Sequence, residues 1–255
     1  MSGREIDKAV KALKDSNYTT AFTGAGISIA SGIPPFRGED GIWNKYDPSL
    51  FDLDFFHENP EKSWELHKKV FFETLEGVKP NRAHEILAKW EKKDLLEAVI
   101  TQNIDGLHEA AGSKNVINFH GTTKWLKCID CERKIKIDEA DLAKLPPKCK
   151  ECGGILKPDF VFFGEGIPRD AYKKSIQETE KAEVFLVIGT TGAVMPAAMV
   201  PELASRNGAK IIEINPNKSH LTDRITDIYL ADKAEVIMEV LDERLRGNTS
   251  GGQVN

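Results

Sequence analysis

The chain has 255 residues, with 35 Lys and Arg against 40 Asp and Glu, 40% hydrophobic and 29% charged. That balance excludes a collagen-like or wholly disordered chain and suits one large domain, or one domain with an insertion. A net charge of −5 without a basic block argues against electrostatic nucleic-acid binding, and no apolar run reaches the roughly 18–20 residues of a membrane helix.

Met1 to Lys14 lacks the apolar segment of a signal peptide, so a soluble cytoplasmic protein is expected. Ile6, Val10 and Leu13 recur at helical spacing over Arg4 to Lys14. Tyr18 to Thr23 is short and β-prone and runs into Gly24-Ala25-Gly26, with a helix expected to start near Ser28. Strand, glycine turn and helix open a dinucleotide-binding unit. Asp40 to Asn59 is aromatic-rich and irregular. Pro60 to Glu76 and Arg82 to Trp90 read as helices, and Leu96 to Thr101 and Val116 to Phe119 as strands.

The α/β rhythm returns after Pro158. A strand is expected at Phe160 to Phe163 and a helix at Asp170 to Lys181. Val184 to Ile188 is an unbroken apolar run, the pattern of a central parallel strand. Pro196 to Asn207 reads as a helix, Lys210 to Ile214 as a strand, Ile228 as the centre of a last strand, and Ala234 to Arg246 as a helix. The expected class is α/β, a doubly wound parallel sheet with insertions.

All four cysteines lie between Cys128 and Cys152. Cys128-x2-Cys131 and Cys149-x2-Cys152 form two tight loops whose spacing fits a single tetrahedral zinc site. Four sulfurs leave no open position, so such a zinc is structural. The competing reading is two disulfides or unlinked thiols.

Polar and small residues gather where strands end. They are Gly24 to Gly26, Gln102-Asn103-Ile104-Asp105, His120-Gly121, Gly189-Thr190-Thr191 and Asn215-Pro216. Ligands bind at this edge of open α/β sheets. His120 is the candidate base, because an unperturbed imidazole titrates near neutral pH.

Together GAGISIASGIPPFRG (Gly24 to Gly38), TQNIDGLH (Thr101 to His108), FHG (Phe119 to Gly121), the four cysteines, KPDFVFFGE (Lys157 to Glu165), Gly189-Thr190-Thr191 and Ile214-Asn215-Pro216 resemble the sirtuin family of NAD-dependent protein deacylases. The likeness covers roughly Tyr18 to Val236 and is nearest to compact bacterial and archaeal members. It implies that NAD is cleaved at the nicotinamide–ribose bond, with the acyl group of an acyl-lysine passing to ADP-ribose. The expected partners are acetyl-lysine peptides of other proteins, and the expected form is a monomer.

The resemblance assigns His120 and Asn103 to catalysis. It assigns Gly24, Ala25, Gly26, Ile29, Phe36, Arg37, Gln102, Asn103, Ile104, Asp105, Gly189, Thr190, Thr191, Asn215, Pro216, Lys233 and Ala234 to NAD. Val161, Phe163, Gly164 and Val194 would bind the acyl-lysine substrate. It implies the fold class α/β, a Rossmann-like doubly wound parallel sheet with a smaller zinc-ribbon plus helical insertion domain. It divides the chain into a discontinuous NAD-binding domain (1–37, 85–120 and 158–246) and a small domain (38–84 helical insertion and 121–157 zinc module), with 247–255 a disordered tail.

Two positions depart from the family pattern. Pro35 stands where Asp or Thr is usual, and Thr191-Gly192 replaces Ser-Leu. Members that prefer succinyl-lysine resemble one another in a Tyr-x-x-Arg before the Pro-Asn-x-Ala-His segment. Here no Tyr or Arg lies between Trp64 and Asn81, so the acyl tunnel is expected to end in Phe71 or Phe72 and to take acetyl or apolar acyl groups. The alternatives are a mono-ADP-ribosyltransferase, a deacylase for longer apolar acyl-lysines, and a non-catalytic NAD-binding module.

Overall fold

The computed structural model describes residues 3–37 and 41–247. Gly38 and the tail beyond Gly247 lie outside the described residues. In chain order the elements are α1 (Gly3–Asp15), β1 (Thr19–Thr23), α2 (Leu53–Glu58), α3 (Pro60–His67), α4 (Glu73–Leu75), α5 (Arg82–Glu91), β2 (Ala98–Thr101), α6 (Leu107–Ala111), β3 (Val116–Asn118), β4 (Gly121–Cys128), β5 (Lys134–Lys136), β6 (Leu156–Phe160), α7 (Arg169–Lys181), β7 (Val184–Ile188), α8 (Met199–Arg206), β8 (Lys210–Ile214), β9 (Ile228–Leu230) and α9 (Ala234–Leu245).

β3-β2-β1-β7-β8-β9 form one parallel sheet. The strand order runs outward from β1 in one direction and from β7 in the other, so their carboxyl ends face a topological switch point. β7 lies between β1 and β8, and all five of its residues are buried, which is why its sequence is continuously apolar. Ile6, Ala9 and Leu13 put the apolar stripe of α1 into the same core as Leu186, Ile212 and Leu241. Each fully buried Leu or Ile contributes on the order of 2 kcal/mol.

The second sheet, β5-β4-β6, is antiparallel. Its Leu126, Leu156 and Phe160 share a core with Phe51, Phe56, Trp64 and Phe71. The Trp64 indole N–H donates to the Leu156 carbonyl at 2.7 Å, so the helical segment and the cysteine-bearing sheet pack as one body.

Three local expectations are corrected. After Gly24 the chain forms a short 3-10 helix, Ala25–Ser31, instead of an α-helix, and Gly32 at φ 90° ends it. Phe160 to Phe163 does not join the main sheet. β6 stops at Phe160 and pairs with β4, because the chain is still leaving the small sheet there. The long helix from Pro60 is interrupted by a π turn at Lys68–Phe72.

Candidate active site

The floor of the site is made where β1 and β7 end side by side. Gly24 N–H donates to Ile188 O at 3.0 Å and Gly26 N–H to Gly189 O at 2.8 Å. A Cβ on Gly26 would fall 2.6 Å from Gly189 Cα, and one on Gly189, at φ +63°, would fall 2.4 Å from Ile27 N. Only glycine permits this approach of the two strand ends.

Beside this floor a cleft opens, lined by Ala25, Ser28, Phe36, Phe71, Asn103 and Asp105 among others. It brings together five of the expected cofactor residues: Ala25, Phe36, Asn103, Ile104 and Asp105. Phe71 lines it, whereas Phe72 stacks on Trp64 with ring centroids 5.9 Å apart. Lys68 Nζ is turned to the Leu142 carbonyl at 3.4 Å and Lys69 is exposed.

Within the cleft the hydrogen bonds fix which atoms face inward. Asn103 Nδ2 donates to Gly24 O and to Ser28 Oγ, both at 3.1 Å. Both amide hydrogens are thus committed, and the oxygen is the atom left to accept. Ser28 Oγ donates to Asp105 Oδ2 at 2.7 Å, and Asp105 Oδ1 accepts the Leu107 N–H at 2.9 Å. Burial raises the Asp105 pKa, and these hydrogen bonds oppose the rise.

A second polar group follows the strand ends outward. Gln102 Nε2 donates to Thr190 Oγ1 at 2.9 Å, and Asn215 Nδ2 donates to Thr190 O at 2.9 Å. His120 lies beyond β3 with Nδ1 3.0 Å from the Gln102 carbonyl. A carbonyl can only accept, so Nδ1 carries the proton and Nε2 is a free base. Burial lowers the His120 pKa, partly offset by that hydrogen bond, and the ring is neutral at neutral pH. Val161 N–H donates to His120 O at 2.8 Å, which sets Val161 beside it. Phe163 is 40% exposed, and its ring lies 5.6 Å from that of Trp43.

Other expected residues are less engaged. Ile29 and Arg37 are exposed. Ala234 is buried in the core beside Ile237, and Lys233 is exposed. Gly164 has φ +80°, and Val194 precedes the turn into α8, its carbonyl accepting from Ala198. Thr191 O accepts from His220 N, while Pro216 follows Asn215 in the loop after β8.

The departure at Gly192 has a structural reason. It sits at φ +64°, and a Cβ there would meet Leu221 Cγ at 2.6 Å. Leu221 is fully buried and occupies that space. For Pro35 the structure shows only that its carbonyl accepts from Ile42 N–H at 2.9 Å.

Sequence reasoning overlooked Ser28, His84 and His108 around the cleft. His84 and His108 are buried, with their rings 4.8 Å apart behind Ser28 and Thr23. Nothing in their local sequence signals burial.

In the small sheet the four cysteine sulfurs lie within 4.8 Å of one another, with Cys128 to Cys152 at 3.5 Å and Cys131 to Cys149 at 3.8 Å. A tetrahedron with Zn–S bonds of about 2.3 Å has edges of about 3.8 Å, so the sulfurs fit one zinc. These separations also exclude disulfides, whose sulfurs stand about 2.05 Å apart. Gly154 passes so near that a Cβ would lie 2.9 Å from Cys128 Sγ.

Residues 24–196 match the Sir2 family model. NAD-dependent protein deacetylase 1 of Pyrobaculum aerophilum is 43% identical over 245 residues, covering 95% of this chain and 96% of its own. The NAD-dependent protein deacetylase of Thermotoga maritima is 42% identical over 235 residues, 91% of this chain and 95% of its own. A solved Sir2 homologue–NAD complex matches with a TM-score of 0.88 at 41% identity, covering 94% of this chain and 93% of that one. A Sir2 protein with a deacetylated p53 peptide and 3′-O-acetyl ADP ribose matches with a TM-score of 0.88 at 38% identity, covering 94% of this chain and 98% of that one. Likeness of this extent, running from the glycine turn through the cysteine sheet to the start of the helix after β7, makes the chain a member of the Sir2 family.

Proposed function

We propose that the protein is an NAD-dependent protein-lysine deacetylase that releases nicotinamide and O-acetyl-ADP-ribose. The observation that carries this is His120, held by Gln102 O with its basic Nε2 unclaimed and Val161 alongside. The relatives of Pyrobaculum and Thermotoga are NAD-dependent protein deacetylases, and one matching structure holds a deacetylated peptide with an acetylated ADP-ribose.

The donor set suits NAD. Thr190, Asn215 and Gln102 carry hydroxyl and amide groups along the strand ends, and the glycine turn, with no side chains at 24 and 26 and Ala25 lining the cleft, lets a pyrophosphate come close to the chain. When bound, NAD supplies an electrophilic ribose carbon and a leaving nicotinamide. Asp105 and the Ile104 backbone hold the amide of the leaving group. Asn103 Oδ1 accepts from a ribose hydroxyl or a water, and Phe36 screens the reacting face from solvent. His120 Nε2 takes a proton from a ribose hydroxyl, a step that requires the neutral ring. Cys128, Cys131, Cys149 and Cys152 would hold a zinc ion that braces the small sheet, and their four sulfurs would leave it no open position for chemistry.

The acyl-lysine enters between Val161, Phe163 and Gly164 on one side and Val194 on the other. We read residues 1–37, 85–120 and 158–246 as the cofactor lobe, and 38–84 with 121–157 as the small lobe. The core shared by Trp64, Phe71, Leu126 and Leu156 supports the latter grouping. Among the described residues no helix is long and apolar enough to cross a membrane.

The test is incubation with an acetyl-lysine peptide and NAD. Nicotinamide, free lysine and acetyl-ADP-ribose should form in equal amounts. Transfer of ADP-ribose to protein without deacetylation would make the chain a mono-ADP-ribosyltransferase instead.

A further inference from the structure

Two buried histidines lie behind the cleft, and neither faces it. Each heads a hydrogen-bond chain, and both chains end on Asn103. In the first, His108 Nε2 lies 2.9 Å from Thr23 Oγ1. Thr23 Oγ1 donates to Thr101 Oγ1 at 2.9 Å, and Thr101 Oγ1 accepts the Asn103 backbone N–H at 3.1 Å. In the second, His84 Nε2 lies 3.5 Å from Ser28 Oγ, which accepts from Asn103 Nδ2 at 3.1 Å.

The direction of each chain follows from the partners. His84 Nδ1 accepts the Asn81 backbone N–H at 3.3 Å, so its proton sits on Nε2 and points at Ser28. His108 Nδ1 is buried with no partner. A bare lone pair is cheaper to bury than an orphan N–H, so the His108 proton also sits on Nε2 and is given to Thr23. Thr23 must then turn its own hydrogen to Thr101. The Thr101 oxygen is thereby aimed at the Asn103 backbone.

An apolar side chain in place of His108 would leave no bare nitrogen at this buried position. A histidine here is a local misfit unless its donor is needed, and such misfits mark functional sites. We infer that His108 is a positioning residue: through Thr23 and Thr101 it holds the Asn103 backbone so that, with its amide hydrogens tied to Gly24 and Ser28, Asn103 presents only its oxygen to the cleft. This rests on the reading of the cleft as an NAD site.

The test compares His108→Leu with His108→Gln in the zinc-loaded full chain. Glutamine keeps a donor near the Nε2 position, and leucine keeps bulk alone. In His108→Leu, kcat for peptide-dependent nicotinamide release should fall about 10–100-fold while the ADP-ribose Kd changes by less than about threefold, and His108→Gln should recover most of the loss. Unchanged kcat in His108→Leu, or a folded His108→Gln no better than His108→Leu, would overturn the inference. Nitrogen NMR gives a readout that needs no turnover. The ring should be the Nε2–H tautomer, and the Asn103 side-chain amide should exchange slowly in the wild type and in His108→Gln but faster in His108→Leu. An Nδ1–H tautomer sinks the proposal even if His108→Leu fails to fold. If the wild type releases no nicotinamide, the deacetylase reading fails, and these spectra still decide the role of His108.

Discussion

The ammonium of Lys157 lies 2.9 Å from Glu165 Oε2 and 4.0 Å from the centroid of the Phe162 ring. The same Glu165 oxygen accepts the Phe162 backbone N–H at 3.0 Å, and Lys157 also donates to the carbonyls of Pro158 and Phe160. Burial lowers the Lys157 pKa, and Glu165 pulls it back. The pair ties β6 to the loop that carries Phe163 and Gly164. Glu165→Ala strands a buried ammonium and releases that loop. We expect a stability loss of about 2 kcal/mol, moderated because Glu165 is partly exposed, and a several-fold rise in peptide KM with little change in NAD affinity. Steady-state kinetics with each substrate varied in turn checks this, and an unchanged peptide KM would count against the strut.

His120→Ala should cut turnover by about 10²–10⁴-fold while ADP-ribose binding changes far less. The base is the neutral ring, and burial lowers its pKa, so it stays deprotonated further into acid than a free imidazole. The acid limb of kcat/KM should therefore fall below pH of about 6.5. A limb at higher pH, or near-normal turnover in the variant, removes His120 from the role of base.

Three other histidines set the acid stability. Burial pushes His67 down to about 4, His108 to about 3 and His84 to about 2. Below the ordinary imidazole pKa the unfolded chain takes up protons that the folded chain refuses, so stability is lost as pH falls through 6.5 toward these values. Between pH 6 and 5 the three together should remove on the order of 3 kcal/mol. Urea unfolding at the two pH values reads this directly, and a flat dependence would show that these rings protonate in the folded state.

Metal analysis should find about one zinc per chain. A strong chelator should lower the melting temperature and the activity together, because the cysteine sheet shares its core with Trp64 and Phe71. Fully active protein without zinc would refute the assignment.

Acetyl-lysine should be preferred to succinyl-lysine by a wide margin in kcat/KM. The cleft runs to Val70, Phe71 and Leu75, and Lys68 is already engaged by the Leu142 carbonyl. An unpaired carboxylate buried among these groups costs several kcal/mol. Equal activity on matched acetyl and succinyl peptides would show that a cation reaches the cleft.

The parallel sheet was legible because its strands carry a strong local signal, Val184 to Ile188 above all. The metal site was legible because the CxxC spacing is itself the geometry. The helix expected after Gly26 is a 3-10 helix that starts at Ala25, where the chain packs against Gly189, a neighbour far away in sequence that local pattern does not show. Phe160 to Phe163 looked like a strand of the main sheet because apolar β-prone residues do not say which sheet they join. His84 and His108 escaped notice because burial decides their chemistry, and burial comes from tertiary packing.

Gly192 and Leu221 occupy one space between them. A larger residue at 192 would need both a left-handed backbone and the room that Leu221 now fills, so position 192 is not free to drift alone. In descent the two should change as a pair: chains that carry a side chain at 192 should carry a smaller one at 221, and a single exchange at 192 should be tolerated only after 221 has given way.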